Sequence, residues 1–131
     1  MFNRNRRPSV DNEHQQVLEL LQTYLDAIYD GDVSALRSAF HPEALLFAEV
    51  RGETVQKTLD AYLDGVAKRQ SPASSNEPYG MSVHSIDVIG KIASAKVQVK
   101  VTGNNYFNFL SMLKIDSEWY IVNKLYTRVG E

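Results

Sequence analysis

The chain contains no cysteine, which removes disulfides, thiolate metal sites and cysteine nucleophiles together. It lacks an excess of either charge: fourteen Lys and Arg against sixteen Asp and Glu leave a formal net charge of -2. Both signs are scattered along the chain, so the basic footprint of a nucleic-acid-binding domain is missing. No apolar run approaches the ~20 residues of a membrane-spanning helix. No apolar segment follows the arginines of the leader NRNRRP, so a secretory signal is not expected. Arg4, Arg6 and Arg7 are too few for a polybasic membrane patch, and residues 1–10 read as a flexible tail. His14, His41 and His84 form no H-x-H or H-E-x-x-H pair, so neither a metal nor a cofactor is expected. These absences predict a soluble, cytoplasmic protein with no nucleic-acid or membrane partner.

What is present is periodicity. Residues 11–29, DNEHQQVLELLQTYLDAIY, place Val17, Leu21, Tyr24 and Ile28 at i, i+4, i+7 and i+11, a long amphipathic helix. Asp11 stands where it can cap the start, and Gly31 where it can close the end. Asp32 then caps a second helix, VSALRSAF, which Pro42 stops. LLFAEV from Leu45 reads as a strand, Arg51-Gly52-Glu53 as a turn, and Thr54 as the cap of a third helix bearing Val55, Leu59, Tyr62, Leu63 and Val66. RQSPASSNEPYG, residues 69–80, has no period and reads as an exposed loop, a connector in preference to a lid.

From Met81 the period changes to two. Strands are expected at 82–89, 92–102, 105–115 and 119–128, separated by Gly90-Lys91, Gly103-Asn104 and Asp116-Ser117. Helices first and a meander afterwards predict one α+β domain over residues 11–131, with three N-terminal helices on one face of an antiparallel sheet. Alternation assigns Ala93, Ala95, Val97, Val99 and Val101 to the inner face. The same test puts Ile86 and Val88 inside with His84, and Phe107, Phe109, Leu113 and Ile115 inside with Ser111. The opposite side of that last strand is too apolar for water, and Tyr106, Leu110 and Met112 are its expected homodimer contact.

The order of elements, the helix end YDGD at 29–32, the short helix ending FHPEA at 40–44 and the terminal pair LKIDSEWYIVNK at 113–124 together resemble the nuclear transport factor 2-like superfamily. That superfamily includes SnoaL-like cyclases, scytalone dehydratase and ketosteroid isomerase. The terminal pair most resembles its branch named for putative lumazine binding. The resemblance covers residues 13–128 and implies a cone-shaped, cystatin-like fold: a curved antiparallel sheet closed by the helices around a cavity. It implies no single chemistry, since one fold hosts many functions.

Ketosteroid isomerase sets a carboxylate base on the first strand and uses a tyrosine with a neutral aspartic acid as oxyanion donors. Laying FHPEALLFAEV on that pattern puts Ala48 at the base, Tyr24 at the tyrosine and Ser111 at the second acid, so two of three groups are missing. Glu49 is one residue along and points to the other face. The dehydratase pattern is met only by His84 and Tyr24, because Asp87 alternates away. Tyr24, Ser111 and His84 are therefore the expected ligand-orienting groups, with Phe107 and Phe109 as flat walls suited to an aromatic ring. Simple core packing is the competing reading for each. Asn123 interrupts an apolar alternation and faces either cavity or dimer. The leading expectation is a small-molecule-binding domain with a mostly apolar cavity. The alternatives are an enzyme of the dehydratase, isomerase or cyclase kind, with His84 as base and Tyr24 as donor, and a non-catalytic homodimeric interaction module.

Overall fold

Helix α1 (Pro8–Asp30) reaches back past the expected cap, so Asp11 lies within the helix. The computed structural model describes residues 8–130, with side chains from residue 12; residues 1–7 of the expected tail lie outside the described residues. Val17, Leu21, Tyr24, Leu25 and Ile28 are buried along one stripe, as the 3.6-residue period demands. Gly31 ends the helix at φ 69°, and a Cβ there would stand 2.8 Å from the Cβ of Ser71. Only glycine meets both conditions.

Asp32 caps α2 (Val33–Ser38) by accepting from the Ala35 N–H at 3.1 Å. The helix ends before Pro42, and β1 (Phe40–Val50) runs through that proline, with its pairing interrupted between Phe40 and Leu45. Arg51 and Gly52 both have positive φ, the conformation of a tight hairpin turn. The next segment is therefore β2 (Glu53–Thr58), antiparallel to β1, where a helix is predicted from Thr54. Val55 and Lys57 alternate with exposed neighbours, a period of two that the apolar residues beyond Thr58 obscure. Thr58, not Thr54, caps α3 (Leu59–Lys68), accepting from Ala61 N–H at 3.1 Å. Leu59, Tyr62, Leu63 and Val66 are buried against the sheet, and Leu63→Ala would cost roughly 2–5 kcal/mol.

Residues 69–80 form a connector tied down at several points. Tyr29 Oη donates to the Glu77 carbonyl at 2.6 Å, Tyr79 Oη donates to Asp26 at 2.8 Å, and Thr102 N–H donates to the Glu77 carboxylate at 3.0 Å. Strands β3 (Met81–Ile89), β4 (Ile92–Val101), β5 (Asn104–Ile115) and β6 (Glu118–Val129) follow the predicted meander to within a residue or two. The sheet order is β2-β1-β6-β5-β4-β3. The β1–β6 pair is parallel and the others are antiparallel, so the curved sheet is mixed where a wholly antiparallel one is predicted. β1 reaches β6 only through all that lies between them in the chain, and so long a crossover leaves parallel pairing open.

Two β-bulges decide the faces. In β3 the register shifts between Val83 and Ser85, and in the β5–β6 pair between Ser111 and Met112. Each extra residue reverses the alternation beyond it. Met81, Val83, Ile86 and Val88 all turn toward the core while His84 stays exposed. Likewise Trp119 and Ile121 are buried on β6, and beyond Val122 the buried position moves to Lys124. Trp119 Nε1 also donates to Glu13 at 3.0 Å, beside the 2.8 Å ion pair from Lys114 to the same carboxylate. The hydrogen bond from Lys114 and then that from Trp119 hold the Glu13 carboxyl below its ordinary range. Among the described residues no helix is long and apolar enough to cross a membrane.

Candidate functional site

On β5 the buried side chains are Asn108, Leu110 and Met112, and Phe109 and Ser111 are exposed. This inverts the predicted faces. Tyr106, Leu110 and Met112, expected on an outer dimer patch, belong to the inner side. His84, Phe107, Phe109 and Ser111, expected in a cavity, lie on the outer one. There His84 bonds Gln98 at 2.9 Å and meets the Phe107 ring edge-on. Asn123 also falls on the outer side and donates to the Leu45 carbonyl at 3.2 Å. Ala48 is buried, while Glu49 faces outward. The Thr127 hydroxyl and the Gly52 N–H both donate to the Glu49 carboxylate at 2.7 Å and lower its pKa, so it serves a turn and no inward base exists on β1. Of the expected ligand-orienting groups, only Tyr24 stands beside the cavity.

That cavity, about 200 Å³, opens between α3, β2 and the inner side of β4, β5 and β6. It is polar where an apolar one is expected, with Tyr62, Tyr106, Asn108, Lys124 and Tyr126 in its wall and Lys57 and Arg69 also lining it. Tyr24 is fully buried beside it and accepts from Asn108 Nδ2 at 2.7 Å. Lys124 is buried with no carboxylate paired to it among the described residues. Its Nζ donates to Tyr62 Oη at 2.9 Å. The same nitrogen lies 4.0, 4.9 and 5.3 Å from the ring centroids of Tyr62, Tyr126 and Tyr24.

Two effects oppose each other at this amine. The tyrosine faces favour an ammonium by about 1–2 kcal/mol each when desolvated. Removing an unpaired ammonium from water costs several kcal/mol. Desolvation wins: burial, aided by the positive charges of Arg69 and Lys57, pushes the Lys124 amine well below its ordinary pKa. Burial likewise raises the Tyr24, Tyr62 and Tyr126 phenols, so they remain protonated. The site therefore presents a primary amine whose burial favours its neutral form, among phenol and amide donors.

Lys124 is the residue of the cavity wall that sequence reasoning misses. Counted in twos from Trp119 and Ile121 it faces outward, and only the bulge brings it in. The available signal was the pair of inversions Asn108-Phe109 and Lys124-Leu125, polar residues at positions that turn inward beside apolar ones that turn out.

Residues 12–127 match the family described as putative lumazine-binding. The chain belongs to that family. Within it the fold is nuclear transport factor 2-like. An NTF2-like protein of unknown function from Shewanella baltica OS155 superposes with a TM-score of 0.82 at 22% identity, covering 92% of this chain and 97% of that one. Another from Silicibacter pomeroyi DSS-3 gives 0.77 at 23% identity, covering 92% and 98%. A curated relative, aldolase FrzH of a Cladobotryum species, is 25% identical over 115 residues, covering 88% of this chain and 90% of the relative.

Proposed function

We propose that this member of the putative lumazine-binding family is an enzyme acting on small carbonyl compounds through an imine formed at Lys124, with aldol addition or its reverse as the reaction type. The observation that carries this reading is the buried, uncompensated Lys124 amine in the cavity wall, 2.9 Å from the Tyr62 hydroxyl. A neutral amine is a nucleophile, and burial is how proteins keep a lysine neutral near pH 7. The likeness to an aldolase at 25% identity supports the same reaction type.

The chemistry balances with the residues present. Nζ attacks the carbonyl carbon, the Tyr62 phenol donates toward the oxygen, and the carbinolamine loses water, which carries away both amine hydrogens as the C=N bond forms. The imine acidifies the neighbouring C–H and allows an enamine. That carbon forms a bond to a second carbonyl, whose oxygen takes up a proton, and water then releases the product and restores the amine. Tyr24, bonded to Asn108, presents its ring 5.3 Å from Lys124 Nζ. The cavity lies below the ~300–1,000 Å³ of drug-sized ligand sites, which favours small substrates. Incubation with propanal and cyanoborohydride, followed by peptide mass mapping, tests the reading. It predicts a propyl adduct on Lys124 ahead of the solvated surface lysines, and the absence of any adduct there overturns it.

A second reading keeps the cavity non-catalytic. The Tyr106 and Tyr126 rings stand 6.0 Å apart, edge to face, and with Tyr62 they offer π surfaces to a flat heterocycle such as a lumazine. Retention of a heterocyclic ligand in native mass spectrometry, without amine trapping, favours it.

The homodimer expectation moves to new residues. Phe47, Leu125 and Phe109 stand directly opposite one another across β1, β6 and β5 on the outer side. The helices pack on the inner side. We propose that a second copy covers this stripe.

A further inference from the structure

Resting on the imine reading of Lys124, we propose that the substrate is an anionic carbonyl compound, a 2-oxo or 3-oxo acid, whose carboxylate is held at the cavity by Arg69 and Lys57. Arg69 directly follows α3, at its C-cap, and Lys57 sits near the end of β2. The strand leads straight into the helix through Thr58, so the two cations bracket α3 and both line the cavity that holds Lys124. The lining contains no Asp or Glu, although acids outnumber bases in the chain as a whole. A positive cavity in a net-negative protein concentrates field on its contents and selects an anion.

Geometry favours a carboxylate over other ways of answering that charge. Neither Arg69 nor Lys57 forms an ion pair among the described residues, whereas Arg37 is paired to Asp60 and Lys114 to Glu13. A guanidinium matches a carboxylate with two parallel hydrogen bonds. Gly65, one turn before Arg69, also lines the cavity, and nothing stands within 4 Å of where its Cβ would be. That leaves room beside Arg69 for a bound group. The two cations act twice: they hold the substrate's anion, and their charge adds to burial in lowering the pKa of the neighbouring amine before it binds. Once the carboxylate is seated, the charge opposing protonation is partly neutralised, which suits an imine nitrogen that must accept a proton to form the enamine.

Two measurements separate this proposal from the chemistry beneath it. The first is non-covalent: calorimetric titration of the wild type with benzoate and with benzamide, repeated on Arg69→Gln/Lys57→Gln. Both substitutions fall outside the core cluster. Benzoate is expected to bind about tenfold more tightly than benzamide, the preference disappearing in the double variant. Equal binding of the two, or a preference that survives the substitutions, overturns the anion site. The second is reductive trapping of Lys124 with pyruvate against acetone. Trapping is expected to be about tenfold faster with pyruvate and to lose that advantage in the double variant. If benzoate selectivity holds while neither carbonyl is trapped, the anion site stands and the imine reading falls. If both carbonyls are trapped alike in both proteins, the amine chemistry stands and the anion proposal falls.

Discussion

The two sides of β5 and β6 are built on opposite rules. Inside, Asn108 is 2% exposed and Lys124 5%; outside, the adjacent Phe109 and Leu125 are 61% and 46% exposed. A strand that served only to separate core from water would have these reversed. The inner side holds a dry amine among fixed donors. The outer side carries exposed apolar side chains, Phe109 and Leu125 among them. The contrast teaches that polarity alone cannot orient a strand whose buried positions include Asn and Lys and whose exposed ones include Phe and Leu.

The strongest way to break the contrast is Lys124→Met, which gives the inner side an ordinary core residue. Trapping at position 124 is expected to vanish, and stability is expected to rise by roughly 1–4 kcal/mol, because an apolar group replaces one whose burial is costly. Chemical denaturation reads the second effect, and a variant less stable than wild type would mean that the amine is satisfied by its cage. On the outer side, Phe109→Lys is expected to convert a two-copy assembly to monomers in light scattering. The fold itself should change by no more than about 0.5 kcal/mol, since the site is exposed. An unchanged assembly, or a wild type that is already monomeric, removes the second copy from that face.

Tyr62→Phe separates the amine from its hydrogen-bond partner while keeping the ring. Imine formation is expected to slow about 10²-fold, with a stability cost of about 1 kcal/mol. Rates unaffected by the change would reassign the proton donor. The smallest effect is a pH dependence. Burial lets the Lys124 amine lose its proton at a lower pH in the folded protein than in the unfolded chain, so between those two pH values the unfolded state binds the extra proton. Wild-type stability relative to Lys124→Met should therefore rise with pH, by at most ~1.4 kcal/mol per unit, and level off near pH 10. The raised tyrosines act in the other direction: their phenols stay protonated in the fold, so they subtract stability only above about pH 10. A flat difference between the two proteins would show that Lys124 is charged when buried.

Much of the architecture was legible because it follows from periods and stops. The α1 stripe, the Asp32 cap, the 69–80 connector and the four-strand meander all follow from local spacing. The β1–β2 hairpin was not legible, because the alternation of six residues runs directly into the apolar stripe of α3 and Thr58 resembles Thr54 as a cap. The site was legible only at Tyr24, whose helix has no bulge to confuse its facing. Counting in twos places His84 inward and fails at the β3 bulge, and the rule that apolar means buried places Phe107, Phe109 and Ser111 inward and fails because β5 buries Asn108 and exposes Phe109.

By itself, then, the sequence determined the class of fold, the order of its elements apart from β2 and the absence of thiol chemistry, since these rest on composition and on interactions a few residues apart. The tertiary structure decided which face of the sheet is which and brought Lys124 to Tyr62, 62 positions away, in a wall to which Lys57 and Arg69 also belong. The physical reason is that the facing of a strand depends on every residue counted before it, so one bulge at Val122, opposite the Ser111–Met112 step, suffices to turn a surface lysine into a buried amine.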